Sequence, residues 1–211
     1  MSKNLLVDYI PFEISPQQIN ESMKNNNGRL VVKGVLQTAE AKNQNGRVYP
    51  KDTLMREAGK YAKVQIAERR ALGELDHPDS SVVNLNNVSH NVLEMHWKGD
   101  DLVGTVEVLG TPAGNILKEL FKSGIKLGIS SRGLGSVEEL GESDEKGQQT
   151  VKVKDDFELI AFDFVSNPST HGAFLSPTNE GKLNEGVGTR NGTCCHDCLI
   201  EDIINDIFRG E

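Results

Sequence analysis

Val88-Ser89-His90-Asn91-Val92-Leu93-Glu94-Met95-His96-Trp97, then Lys98-Gly99-Asp100-Asp101, then Leu102-Val103-Gly104-Thr105-Val106-Glu107-Val108-Leu109 is the stretch on which the fold class turns. Branched and aromatic residues fill both arms, and the Gly-Asp joint suits a tight reversal. Residues 88–97 and 102–109 therefore predict an antiparallel hairpin. Upstream, Leu30-Val31-Val32-Lys33-Gly34-Val35-Leu36 reads as another strand, and Asn45-Gly46 as a turn. From Asp52 to Arg69, Leu54, Ala58, Tyr61, Ala62 and Ile66 recur at helical spacing after Pro50. Downstream, Thr111 is a capping residue, Pro112 suits the first helical position, and Gly124 is a stop after Ile116, Leu117, Leu120 and Phe121. Further strands are predicted at 125–134, 150–153 and 157–165, with the acidic stretch 138–149 as a loop or hairpin tip. This order implies an α+β fold, a mainly antiparallel sheet or small β-barrel with peripheral helices.

The chain has 211 residues, which suits one main domain plus tails. Apolar residues make up 36% of it, below the ~45–50% usual for globular proteins (a figure that also counts Gly), as a modest core with polar ends would give. Residues 1–28, with Pro11, Pro16 and Lys24-Asn25-Asn26-Asn27-Gly28, read as a flexible segment. The main domain spans 29–178. Residues 179–211 read as a flexible tail that regains helical spacing only through Leu199, Ile200, Ile203, Ile204 and Ile207. The net charge of −8 supplies no basic field, so nucleic acid is not an expected partner. No apolar run approaches the ~20 residues of a membrane span, and the first residues lack the apolar core of a secretory signal. Cys194, Cys195 and Cys198, the three cysteines, are clustered in the tail, which suits a reducing cytoplasm better than a disulfide framework.

Three constellations carry chemistry. Gly73-Glu74-Leu75-Asp76-His77-Pro78 sets an imidazole beside carboxylates, and Pro78 steers His77 away from helical backbone. In Lys126-Leu127-Gly128-Ile129-Ser130-Ser131-Arg132-Gly133-Leu134-Gly135, regular alternation sets Ser131 with Leu127 and Ile129 on the core face. Ser130 then shares the other face with Arg132, and a bulge between the serines would reverse this. In Phe157–Val165 both faces are apolar except at Asp163, so that buried carboxylate requires a donor. Together these offer Ser130 as nucleophile, His77 as base and Asp163 as orienter. Donors at Arg132 and the backbone N–H of Gly133 are candidates for an oxyanion.

The pair Gly73–Pro78 and Gly128–Gly135 resembles the prohead core proteases of T-even-type tailed bacteriophages, a family similar in fold to the herpesvirus assemblin proteases. The resemblance runs from about Leu30 to Pro177. It implies a serine endopeptidase, without cofactor or metal, inside the immature capsid in the host cytoplasm. It also implies cleavage of scaffold, core and major capsid proteins, and of the enzyme itself, to drive maturation. The family histidine falls on His77 and the serine on the Ser130-Ser131 pair, with Ser130 preferred. The third member falls on Asp163, with His171 as rival. Family cleavage after Glu in Leu/Ile-x-Glu sites makes Glu185 (Leu183-Asn184-Glu185) and Glu21 (Ile19-Asn20-Glu21) self-cleavage candidates. A Glu-selective pocket calls for a cation, for which Arg47 and Arg132 are candidates. A homo-oligomer is expected.

Two other readings compete. Cys195 and Cys198 have the spacing of a zinc half-site, but no other cysteine supplies a second half. A catalytically silent scaffold-binding module would instead use the helix near 199–208 for docking. His90 and His96 share a face if the strand is regular, where a polar sheet face explains them more simply than a metal.

Overall fold

The computed structural model describes residues 3–12, 14–76, 78, 80–143 and 149–166. The hairpin on which the fold class turns forms as β5 (Val88–Lys98) and β6 (Asp101–Val108), with Gly99 at φ +62 in the reversal. β2 (Leu30–Thr38) pairs with the far edge of β6, and β4 (Leu72–Glu74) with the outer edge of β5, giving the order β2-β6-β5-β4. A second sheet has the order β1-β7-β10, from Asn4–Phe12, Leu127–Gly135 and Glu158–Val165. A third joins β3 (Arg47–Val48), β9 (Gln149–Val153) and β8 (Val137–Ser143) in the order β3-β9-β8. Most ladders are antiparallel and none of the sheets closes into a barrel, so of the two forms expected the open antiparallel one holds.

Helices lie at the periphery. α2 (Lys51–Tyr61) continues into a π-helical turn over Ala62–Ile66. α3 (Pro112–Lys122) starts as expected: Thr111 accepts from the Gly114 N–H, Pro112 opens the helix, and Gly124 at φ +72 follows its end. The core gathers Leu36, Leu54, Val106, Leu117, Phe162 and Phe164 between sheets and helices. Phe164 meets Phe121 of α3 edge-on at 5.4 Å and His90 of β5 at 4.7 Å, and Phe162 meets Tyr61 of α2 at 5.7 Å.

Residues 1–28 depart from the expectation of a flexible segment. Asn4–Phe12 is β1, and α1 spans Pro16–Asn25. β1 is an edge strand, where Pro11 costs no central ladder bond. Its buried Asp8 is satisfied by Tyr49, Arg47 and Asn45, which sequence distance conceals. α1 carries a full capping box between Ser15 and Gln18, with Pro16 at its start. Glu21 therefore lies in mid-helix, one turn from the Gln17 amide that it accepts from, and Ile19 is core. A peptidase needs extended chain, so this state does not present Glu21 for cutting. The expected tip at 138–149 is built differently too, since much of it belongs to β8 and β9. The tail, with Glu185, the cysteines and the helical spacing expected near 199–208, lies outside the described residues.

The first two sheets meet where β4 passes β10. Leu75 bridges Phe164 in parallel, and the Asp76 N–H donates to the Phe164 carbonyl at 2.8 Å. His90 reaches past Gly73 so that its Nε2 lies 2.9 Å from the Phe162 carbonyl, while Nδ1 lies 2.8 Å from Ser89 Oγ. Any Cβ at Gly73 would collide with both the Phe162 carbonyl and the His90 ring. A register shift between Val92 and Glu94 turns His96 outward while His90 stays buried, so the two do not share a face.

Gly73→Ala should therefore lower stability by about 1–3 kcal/mol through overpacking, measured by urea unfolding. Burial pushes the His90 imidazole down from 6.5 to about 4, against the opposing pull of Asp163 and the Phe162 carbonyl. The unfolded chain binds the extra proton in that window, so His90's contribution is complete above about pH 6.5 and falls toward pH 4. The expected loss is roughly 2–4 kcal/mol, and His90→Gln should flatten this part of the stability profile.

Candidate active site

β7 is the central strand of its sheet, and its register is unbroken on both sides of the two serines. Ser130 stands opposite Tyr9 and Asp163, and Ser131 opposite Asp8 and Phe162. Residues directly opposite share a face, so Ser130, Arg132 and Asp163 lie on one side. Ser131 lies on the other with Ile129, Phe162 and Phe164, the core side. No bulge intervenes, and the alternation expected of this strand holds.

Asp163 is fully buried. Its Oδ1 accepts from the Glu74 backbone N–H at 2.9 Å and from Arg132 Nη2 at 3.2 Å. Arg132 Nε lies 2.9 Å from Oδ2, close in distance but off the N–H axis. The donor that a carboxylate in this strand requires is thus a guanidinium together with a backbone amide. Arg132 is itself fully buried. Its Nη2 also donates to Glu74 Oε1 at 2.9 Å and its Nη1 to the Ser80 carbonyl at 2.7 Å. One guanidinium thus joins β7, β10, β4 and the segment after Pro78.

These contacts bear on the two expected oxyanion donors. The Arg132 guanidinium is committed to two carboxylates and a carbonyl. Gly133 sits between Leu6 of β1 and Leu159 of β10, at the register shift between Leu159 and Ala161. Its lack of a side chain serves packing, because a Cβ there would strike the Phe157 ring and the Glu158 carbonyl. Arg47 is also committed, with Nη1 at 2.7 Å from the Val7 carbonyl and 3.1 Å from Asp8 Oδ1. Both cations considered for a Glu pocket are therefore engaged elsewhere.

His77 lies outside the described residues, but its flanks do not. Asp76 is fixed to Phe164 of β10, next to Asp163, and its φ of +68 turns the chain at that point. His171 also lies outside the described residues. Ser130 is 1% exposed, and its Oγ has no hydrogen-bond partner among the described residues. Sequence reading missed Glu74 as a participant. The signal was available, because a carboxylate in the same short motif as His77 also needs a partner once buried.

A second polar cluster lies on the Ser131 side. Tyr49 donates to Asp8 Oδ2, and burial, then the Asp8 charge, holds its phenol well above the ordinary value. A cavity of about 210 Å³ beside this cluster is lined by Asp8, Ile10, Gln37 and Lys42, among others. Asp8 and Ile10 are in register with Ser131 and Ile129, so this cavity belongs to the core side.

Stability should separate the two residue types on the outer face. Arg132→Ala strands two buried carboxylates and should cost about 3–5 kcal/mol. Ser130→Ala removes an unpaired buried hydroxyl and should leave the melting temperature unchanged or slightly raised. Thermal melts of the two variants check this.

Comparisons with known proteins identify the family. The family described as prohead core protein serine protease matches residues 7–185. The prohead core protein protease of Enterobacteria phage T4 is 33% identical over 151 residues, covering 70% of this chain and 68% of that protein. The solved structure of the bacteriophage T4 capsid assembly protease superposes with a TM-score of 0.64 at 27% identity, covering 79% of this chain and all of that one. With both motif strands and nearly the whole described fold inside the matched region, the chain belongs to the prohead core protein serine protease family.

Proposed function

We propose that this chain is a serine endopeptidase of prohead maturation in which Ser130 is the nucleophile, His77 the general base and Asp163 the buried carboxylate that supports them. The observation that carries this reading is the register of β7, with Ser130 opposite Asp163 and beside Arg132, its hydroxyl buried and unpaired among the described residues. A buried hydroxyl without a partner costs stability, which is the expected signature of a group retained for chemistry. His77 follows directly on Asp76, whose backbone is tied to β10 next to Asp163. Asp163 is favoured over His171 because it lies on the serine's own face.

In the reaction, the Ser130 oxygen attacks the peptide carbonyl carbon as its proton passes to His77. The tetrahedral intermediate collapses, His77 gives the proton to the leaving amine, and an acyl-enzyme remains. Water, deprotonated by His77, then hydrolyses the ester. The substrates proposed are scaffold, core and capsid proteins cut after Glu in Leu/Ile-x-Glu sites, and the enzyme's own tail after Glu185. Activity should rise between about pH 6 and 8 as the imidazole becomes neutral.

Mass spectrometry of the incubated full chain tests the reading. Wild-type protein and Ser131→Ala should lose the segment after Glu185, and Ser130→Ala and His77→Ala should keep it. Tail release by Ser130→Ala would overturn the nucleophile. A wild-type chain that cleaves neither itself nor capsid proteins would point to the silent binding module instead.

A further inference from the structure

Glu74 has no part in the bond-making just described, yet it is fully buried and bonds both to Arg132 and Asp163 and to the segment that follows β4. Its Oε1 accepts from Arg132 Nη2 at 2.9 Å and from the Asn84 N–H at 3.0 Å. Its own N–H donates to Asp163 Oδ1 at 2.9 Å. Oε2 is buried without a hydrogen-bond partner among the described residues. A carboxylate is taken fully out of water at considerable cost unless its bonds are well placed, so the geometry of those bonds carries whatever role it has.

What these bonds define is the seating of the segment between β4 and β5, which contains His77. The Leu75 N–H donates to the Asn87 carbonyl at 3.0 Å, closing the neck of the segment, and the Asp76 N–H donates to the Phe164 carbonyl. Beyond the neck, the Asn84 N–H is held by Glu74 and the Ser80 carbonyl by Arg132. Both of these outer ties depend on the Glu74–Arg132 pair. Around these ties the described residues are solvent-facing, with Val82 and Leu85 each 72% exposed. Packing alone therefore does little to fix it.

We propose that Glu74 is a positioning residue of the peptidase reaction: by holding Arg132 and the Asn84 amide, it fixes the segment that carries His77 against the strand that carries Ser130. This rests on the Ser130–His77 reading. Reach matters more than charge in this role. A glutamine keeps an acceptor oxygen at the Oε1 position, whereas an aspartate keeps the charge but is one methylene too short to span Arg132 and Asn84.

The test uses the full chain and a fluorogenic peptide containing Leu-Asn-Glu-Gly, the sequence of residues 183–186. Glu74→Asp should lower kcat about a hundredfold with KM unchanged, as expected for a misplacement near 1 Å. Glu74→Gln should remain within about tenfold of wild type. With Asn84→Ala as the control for the lost Oδ1, which accepts from the Asn86 N–H, Asn84→Pro removes the same backbone amide without altering a side chain of the buried cluster. It should lower kcat about tenfold at unchanged KM, and it keeps the test decisive if Glu74→Asp does not fold. Circular dichroism and melting curves establish folding. An unchanged kcat in Asn84→Pro, a Glu74→Gln slower than Glu74→Asp, or effects confined to KM would each overturn the positioning role. Ser130→Ala run alongside separates the two hypotheses. If it is active, the site reading fails; if it is inactive while the Glu74 and Asn84 variants match wild type, the positioning proposal alone fails.

Discussion

The Arg132 guanidinium, sealed between the carboxylates of Asp163 and Glu74, is the constraint on which the rest of the outer face depends. No water reaches it, so its charge must be met within the protein, and a flat fork of N–H donors can meet two carboxylates and a carbonyl at once. A lysine's single ammonium could not span the same set. The consequence is geometric. β7 and β10 are neighbours by pairing, and β4 is bridged to β10 at Leu75, but the segment following β4 is drawn over the serine face by the guanidinium and by Glu74.

The two faces of the β1-β7-β10 sheet do different work. The inner face carries Ile129, Ser131, Phe162 and Phe164 into a core closed by rings from α2, α3 and β5. The outer face concentrates Ser130, Arg132 and Asp163 under a short covering segment, where low dielectric makes each polar contact count for more. The position of β7 explains both properties. A central strand is held on both edges, so its side chains are precisely spaced, but its backbone amides are already engaged. At Gly133 the missing side chain makes room for Phe157.

β1 gives this central strand its second neighbour. It comes from the segment that looked least structured, and its hold on the fold runs through the buried Asp8 and the Tyr49, Arg47 and Asn45 groups that meet it. Composition argued against order there because Asp8, Pro11 and Pro16 interrupt the apolar pattern. Each interruption has a tertiary explanation: a buried partner set, an edge position and a helix start. The capping box Ser15-Pro16-Gln17-Gln18 was the one local signal that would have revealed α1 in advance.

The amino-acid sequence by itself determined the hairpin at 88–109, the capped helix after Thr111, the period-two alternation that separates Ser130 from Ser131, and the need of Asp163 for a donor. These are consequences of local geometry and of the cost of burying a charge, and both can be read from neighbouring residues. Tertiary structure alone decided which donor Asp163 receives, that Glu74 shares it, that Arg132 and Arg47 are engaged by buried carboxylates, and that a bulge after Val92 parts His90 from His96. The physical reason is common to all four. A buried charge selects its partner from whatever strand the topology brings within about 3 Å, and a single inserted residue reverses the face of everything beyond it. Neither is encoded in local spacing.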